Sequence, residues 1–159
     1  MKRRGQSCPF SYALVSAARL QDDSVGIGLI FKARDRSTTK KISQALAHSD
    51  VDTATYEALR IALEEAIAGG GGSLTFYVDN PRVVQQLTGA AKVPPAVLGA
   101  NLQVRALMNE AGAVTVIPVT RTRAFSACKV AERAVVTASP TVREYVTPKL
   151  PLVLEDASV

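Results

Sequence analysis

The sequence predicts an α/β domain on a five-stranded mixed sheet, three antiparallel strands followed by parallel ones, flanked by helices. Two observations carry this. The first forty-odd residues are short apolar runs joined by polar turns, the mark of hairpins. From about residue 50 the period changes to 3.6 and helical segments alternate with short apolar runs, which implies crossovers between parallel strands.

The elements follow in order. "SYALVSAARL" and "VGIGLIFKA" flank the polar turn "QDDS" and form a hairpin, and the glycines of "GIG" mark a bulge or a close backbone approach. "TTKKISQALA" is a third, more exposed strand after the charged turn "RDRS". A helix starts near Asp52 or Thr53, either able to cap it, buries Leu59, Ala62, Leu63 and Ala66, and stops at Gly69 to Gly72. No Lys-Ser/Thr follows that glycine run, so it reads as a helix stop and turn rather than a phosphate cradle. "SLTFYV" is a fourth, buried strand closed by Asp79, and Pro81 opens a helix with Val83, Val84 and Leu87 on its apolar face. "GAAKVPPA" breaks the chain; a helix covers Val97 to Glu110, a fifth strand Ala113 to Val119 and a last helix Phe125 to Val136. The expected organisation is a basic segment over residues 1–10, one domain over 11–137 and an extended tail over 138–159, docked through Leu150, Leu152 and Leu154.

Composition narrows the function classes. Nineteen Lys plus Arg against fourteen Asp plus Glu give a formal charge of +5, which favours a polyanionic partner, while an ordinary solvated basic edge accounts for it equally. No apolar run is long enough to span a bilayer, and none follows the basic start as in a signal peptide, so a cytoplasmic protein without a membrane partner is expected. Two cysteines, Cys8 and Cys128, offer neither a disulfide framework nor a zinc cluster. The single histidine, His48, reads as a surface residue and gives Cys128 no base, so Cys128 reads as a small buried residue of the last helix. In sheets of this kind ligands gather beyond the carboxyl ends of strands, which is where Asp79 falls.

Several patterns then stand in register with a known family. "DNPRVVQQLTG" resembles "DSxxVVxxLxG", and "KVPPAVL" is similar to the loop that follows it. "ATYEALRIAL" resembles "AEYxALxxxL", "GIG" resembles the glycines of the second strand, and "RTRAFSACKVA" is similar to "RxxNxxADxLA". Over roughly residues 11 to 137 the chain resembles ribonuclease H of type I and the broader ribonuclease H-like family. The resemblance implies cleavage of the RNA strand of an RNA/DNA hybrid by two divalent cations held on four carboxylates, since cations about 4 Å apart need several anionic oxygens.

Carried over position by position, that carboxylate set is incomplete. The first-strand Asp of "TDGA" falls on Ser16, the Glu of "AEY" on Thr55, the strand-end Asp on Asp79 and the final Asp of "ADxLA" on Cys128. Neutral hydroxyls are poor magnesium ligands and a thiolate prefers softer metals. Glu57, two positions after Thr55, points about 200° around the helix and away from the site. Glu132, one turn after Cys128, faces the cleft from farther off. Asp22 and Asp23 belong to the hairpin turn. Lys92, Arg121 and Arg123 are the candidate phosphate contacts; Arg121 matches the basic residue of "RxxN", whose Asn position holds Ala124.

Three functional expectations follow. The first is a catalytically impaired ribonuclease H-like domain that binds RNA/DNA hybrid or double-stranded RNA through a basic cleft rim and needs no cofactor. The second is an assembly module, in which the old active face or the tail packs against a second copy or another protein. The third is an active ribonuclease using Mg²⁺ or Mn²⁺ on Asp79, Glu132 and a further ligand.

Overall fold

In the computed structural model, residues 8–21, 23–134 and 141–145 are described. β1 (Tyr12–Arg19), β2 (Ser24–Lys32) and β3 (Thr38–Ala47) form the antiparallel part, followed by α1 (Val51–Ala68), β4 (Gly72–Val78), α2 (Pro81–Thr88), α3 (Pro95–Ala111), β5 (Gly112–Pro118) and α4 (Phe125–Glu132). A further strand, β6 (Thr141–Glu144), completes a sheet of order β5-β4-β1-β2-β3-β6.

The pairing follows the expected division. β1 meets β2 antiparallel, Tyr12 opposite Lys32 and Ser16 opposite Gly28, whereas β4 runs parallel to both β1 and β5. The chain direction therefore changes character between β1 and β4. That junction is a topological switch point, the place where strand ends leave a crevice.

The sheet has six strands rather than five, and this corrects the reading of residues 138–159 as tail alone. β6 pairs antiparallel with β3, Ile42 opposite Val142 and Lys40 opposite Glu144. Every residue of β6 is exposed, so backbone hydrogen bonds hold it with little apolar burial. Lys40 adds an ion pair to Glu65 at 2.7 Å and one to Glu144 at 3.2 Å, tying the edge strand to α1. Leu150, Leu152 and Leu154 lie outside the described residues.

The two sheet faces are covered differently. Val25, Ile27 and Leu29 share a core with Ala13, Val15, Phe76 and Val78 and with Leu59, Leu63 and Ala66 of α1, all 1% exposed or less. Residues of the other parity face α4. There the "GIG" glycines permit a close approach: a Cβ on Gly26 would lie 1.9 Å from the Ala131 carbonyl oxygen, and one on Gly28 2.0 Å from that of Ala127. Either would push the helix off the sheet.

Helix ends differ slightly from the sequence reading. Asp50, not Asp52 or Thr53, caps α1, accepting from the Thr53 backbone N–H at 2.7 Å, because the helix begins at Val51 and Asp50 is the last extended residue. α3 begins at Pro95, and α4 closes at Glu132 with Arg133 as its C-cap, before the expected Val136. Residues 135–140 are outside the described set. α2 starts as expected, Asn80 capping Val83 and Pro81 in its first turn, and Gly89 ends it in the left-handed region at φ 83°. No helix among the described residues is long and apolar enough to cross a membrane.

Candidate functional site

Parallel pairing of β1 and β4 sets the site. Leu14 lies opposite Tyr77 and Val15 opposite Val78, so the next residues along, Ser16 and Asp79, come together on the α4 face of the sheet. The Asp79 backbone N–H donates to the Val15 carbonyl at 3.2 Å and extends the ladder by one rung. The Ser16 hydroxyl donates to Asp79 Oδ2 at 2.6 Å, in the short range of a bond to an ionised acceptor.

α4 brings the third position. Cys128 is 3% exposed, and its Sγ approaches Glu132 Oε1 at 3.5 Å. The β5–α4 loop supplies the cation: Arg121 Nε stands 3.9 Å from Asp79 Oδ2, with the arginine side chain 62% exposed and that of the aspartate 3%. Burial pushes the Asp79 carboxyl above the usual aspartate range, and the Ser16 hydroxyl and Arg121 pull against it without reversing the shift. Burial also raises the Cys128 thiol; Arg121 opposes this and the Glu132 carboxylate adds to it. Cys128 is therefore a protonated thiol at neutral pH, unsuited to act as a nucleophile.

Thr55 joins the group through an intermediary. Its hydroxyl donates to the Val51 carbonyl at 2.7 Å and accepts from Asn80 Nδ2 at 3.2 Å. The same amide donates to Asp52 Oδ1 at 2.9 Å, and Arg82 pairs with Asp52 at 3.2 Å. Asn80, next to Asp79, thus fastens the N-terminus of α2 to the first turns of α1.

The four carried-over positions, Ser16, Thr55, Asp79 and Cys128, therefore gather at one end of the sheet. Glu57 points away and pairs with Arg60 on the outer face of α1. Glu132 approaches only through Cys128 and is shared with Lys129 at 3.7 Å. His48 is exposed, at φ 53°, with Nδ1 3.7 Å from the turn residue Asp23. Among the described residues no three His, Cys, Asp or Glu side chains converge as a metal site would need.

The basic candidates separate. Arg121 belongs to the cluster. Arg123, two residues on, is exposed and lines a groove beside it with Tyr12 and Tyr77. Lys92 is exposed in the loop between α2 and α3, beyond a helix of eight residues, about 12 Å long, that starts beside Asp79. It is not among the described residues that line the groove of Arg123.

Sequence reasoning missed Asp52 and Asn80 as the link between α1 and the site. Spacing places Asp52 on the helix face of Thr55, three residues before it, but carries no sign of Asn80. It also missed Tyr12 and Tyr77, which strand parity places on the same face as Ser16 and Asp79.

Residues 16–134, three quarters of the chain, match the Reverse transcriptase-like family. No curated protein matches the sequence significantly. Among solved structures the chain is similar to an RNase H1 from the halophilic archaeon Halobacterium salinarum, at 21% identity and a TM-score of 0.70 over 76% of this chain and 92% of that one. It is similar to the N-terminal RNase H domain of rv2228c from Mycobacterium tuberculosis, at 24% identity and a TM-score of 0.67 over 76% and 91%. LC11-RNase H1, solved in complex with an RNA/DNA hybrid, gives 18% identity and a TM-score of 0.72 over 77% and 94%. Identities this low establish the fold.

Proposed function

The chain belongs to the Reverse transcriptase-like family, with the fold of ribonuclease H, and from that premise we propose that it binds nucleic acid at this sheet end without cleaving it. The substrate class is an RNA/DNA hybrid or double-stranded RNA, held by phosphate contacts from Arg121 and Arg123. The observation that carries the reading is the state of Asp79. It is the one carboxylate where the family resemblance implies four, its Oδ2 accepts from Ser16 at 2.6 Å, and Arg121 Nε stands 3.9 Å from it.

Those residues do not fit a pair of hard divalent cations. Ser16 and Thr55 bring neutral hydroxyls already engaged in hydrogen bonds, and Cys128 brings a protonated thiol. Among the described residues this donor set does not offer the several anionic oxygens that two cations would need to activate a water and stabilise a leaving oxygen. The exposed arginines retain what phosphate recognition needs. An A-form duplex is read mainly by shape and backbone, so such binding requires no base-specific side chain.

The test is affinity for hybrid and double-stranded RNA against salt, for the native chain and for Arg121→Ala with Arg123→Ala. Removing one phosphate-binding side chain lowers the slope of log K against log salt by about 1. An affinity indifferent to salt, or to both substitutions, contradicts the proposal.

One observation favours a second reading, an assembly module. Among the described residues β6 is the sheet edge and all four of its residues are exposed, and an open edge can accept a strand from another chain. Light scattering that shows a dimer, abolished by placing Pro at Val142, would support it.

A further inference from the structure

On the α4 face, the two strands that carry Ser16 and Asp79 also carry an unassigned groove. Two residues back along β1 is Leu14, and two back along β4 is Tyr77, so the groove begins about 7 Å from the Ser16–Asp79 pair. It holds about 510 Å³ and opens to solvent. Its floor is Tyr12, Leu14 and Tyr77, the two rings meeting edge to face with centroids 5.8 Å apart. Its walls are Arg34 and Arg36 from the β2–β3 turn and Arg123 from the β5–α4 loop.

The charge of this groove is one-sided. Among the described residues no carboxylate lines it, and the ion pairs of arginine involve Arg60, Arg82 and Arg121 but none of these three. Asp35, between Arg34 and Arg36, is turned to its own loop, where Oδ1 accepts from the Ser37 N–H at 2.9 Å and its hydroxyl at 2.6 Å.

We propose that this groove binds an unpaired nucleic-acid strand continuing from the duplex held at the Asp79 end, its bases on Tyr12 and Tyr77 and its phosphates on Arg34 and Arg36, with Arg123 at the junction between duplex and strand. The chemistry selects a single strand over a duplex. A duplex hides its base faces by stacking and offers only phosphates to a wall of arginines, so an aromatic floor would be wasted on it. An unpaired base presents a π-face of any sequence to a ring, and aromatic rings set in a basic groove are the usual solution for single strands. The inference rests on the nucleic-acid reading of the neighbouring site for its register, and the experiment separates the two.

Three fluorescent ligands are titrated into the full chain: a blunt RNA/DNA hybrid, the same hybrid with a single-stranded extension, and the extension alone. The extension is expected to raise affinity on the order of tenfold over the blunt hybrid. Arg34→Ala with Arg36→Ala, both exposed turn residues, removes that gain and leaves the blunt hybrid unchanged. Tyr77→Leu also removes it while Tyr77→Phe keeps it, the pattern of ring stacking rather than of a hydroxyl contact. Blunt hybrid bound with no gain from any extension overturns this inference and leaves the proposed function standing. Extension alone bound through Arg34 and Arg36, with blunt hybrid unbound, does the reverse.

Discussion

The Ser16 hydroxyl donates a 2.6 Å hydrogen bond to Asp79 Oδ2, across adjacent parallel strands and under the cover of α4. Where the family resemblance implies two like charges bridged by cations, this chain pairs a neutral donor with a single acceptor. The pair satisfies itself.

Removing the charge of Asp79 is expected to stabilise the protein at neutral pH. Burial raises its folded pKa, so the folded state holds the proton more tightly than the unfolded chain does. Stability is then highest below the ordinary aspartate range and falls as pH rises through the raised folded value. Asp79→Asn still accepts from Ser16 but does not ionise. Its melting temperature should match that of the native chain at low pH and exceed it at neutral pH; a deficit at neutral pH would show that Arg121 outweighs burial.

Adding a charge beside it should do the opposite. Ser16→Asp removes the donor and sets a second carboxylate against Asp79 in a position 0% exposed. The expected cost is about 3 kcal/mol or more, the usual penalty for an uncompensated buried charge. Millimolar Mg²⁺ or Mn²⁺ should restore part of the melting temperature of this variant and leave the native chain unmoved. Equal metal sensitivity in both would contradict the account of the site.

Much of this arrangement is legible in the sequence, for identifiable reasons. Asp79 falls at a strand end because "SLTFYV" stops at an acid and Pro81 follows where a helix can start. The close approach at Gly26 and Gly28 is open to inference because glycine interrupts an otherwise apolar strand, and the cause is a helix carbonyl that a Cβ at either position would meet at 2.0 Å or less. β6 is not legible: "TVRE" buries none of its residues, so no alternation marks it, and its pairing is a backbone event. The link from Thr55 through Asn80 to Asp52 is hidden too, since it joins side chains 25 and 28 residues apart. Tyr12 and Tyr77 stand out only when the outward parity of their strands is followed, and the apolar runs that mark those strands point to the core instead.

The glycines give a sharp test of how α4 is seated. Gly28→Ala should cost about 1–3 kcal/mol or more, because the clash is with backbone that has no rotamer to change. As α4 carries Cys128, the same substitution should expose that thiol to alkylating reagents. Unchanged thiol reactivity and stability would mean that the helix approaches less closely.

The buried polar network on the far face predicts stability without function. The Tyr56 hydroxyl donates to Gln86 Oε1 at 2.7 Å and accepts from Asn101 Nδ2 at 3.0 Å, joining α1, α2 and α3. Tyr56→Phe leaves both amides short of a partner and should cost about 1–3 kcal/mol by denaturant titration. Nucleic-acid affinity of the folded variant should not change.

The central claim is binding without cleavage, and one experiment reads both. Labelled RNA/DNA hybrid and double-stranded RNA are titrated with the native chain at two salt concentrations, with and without Mg²⁺, and the endpoints are run on a denaturing gel. Binding that weakens with salt, is indifferent to Mg²⁺ and leaves the RNA intact is the predicted result. Metal-dependent cleavage abolished by Asp79→Asn would contradict it and restore a catalytic role to the Ser16, Thr55, Asp79 and Cys128 positions.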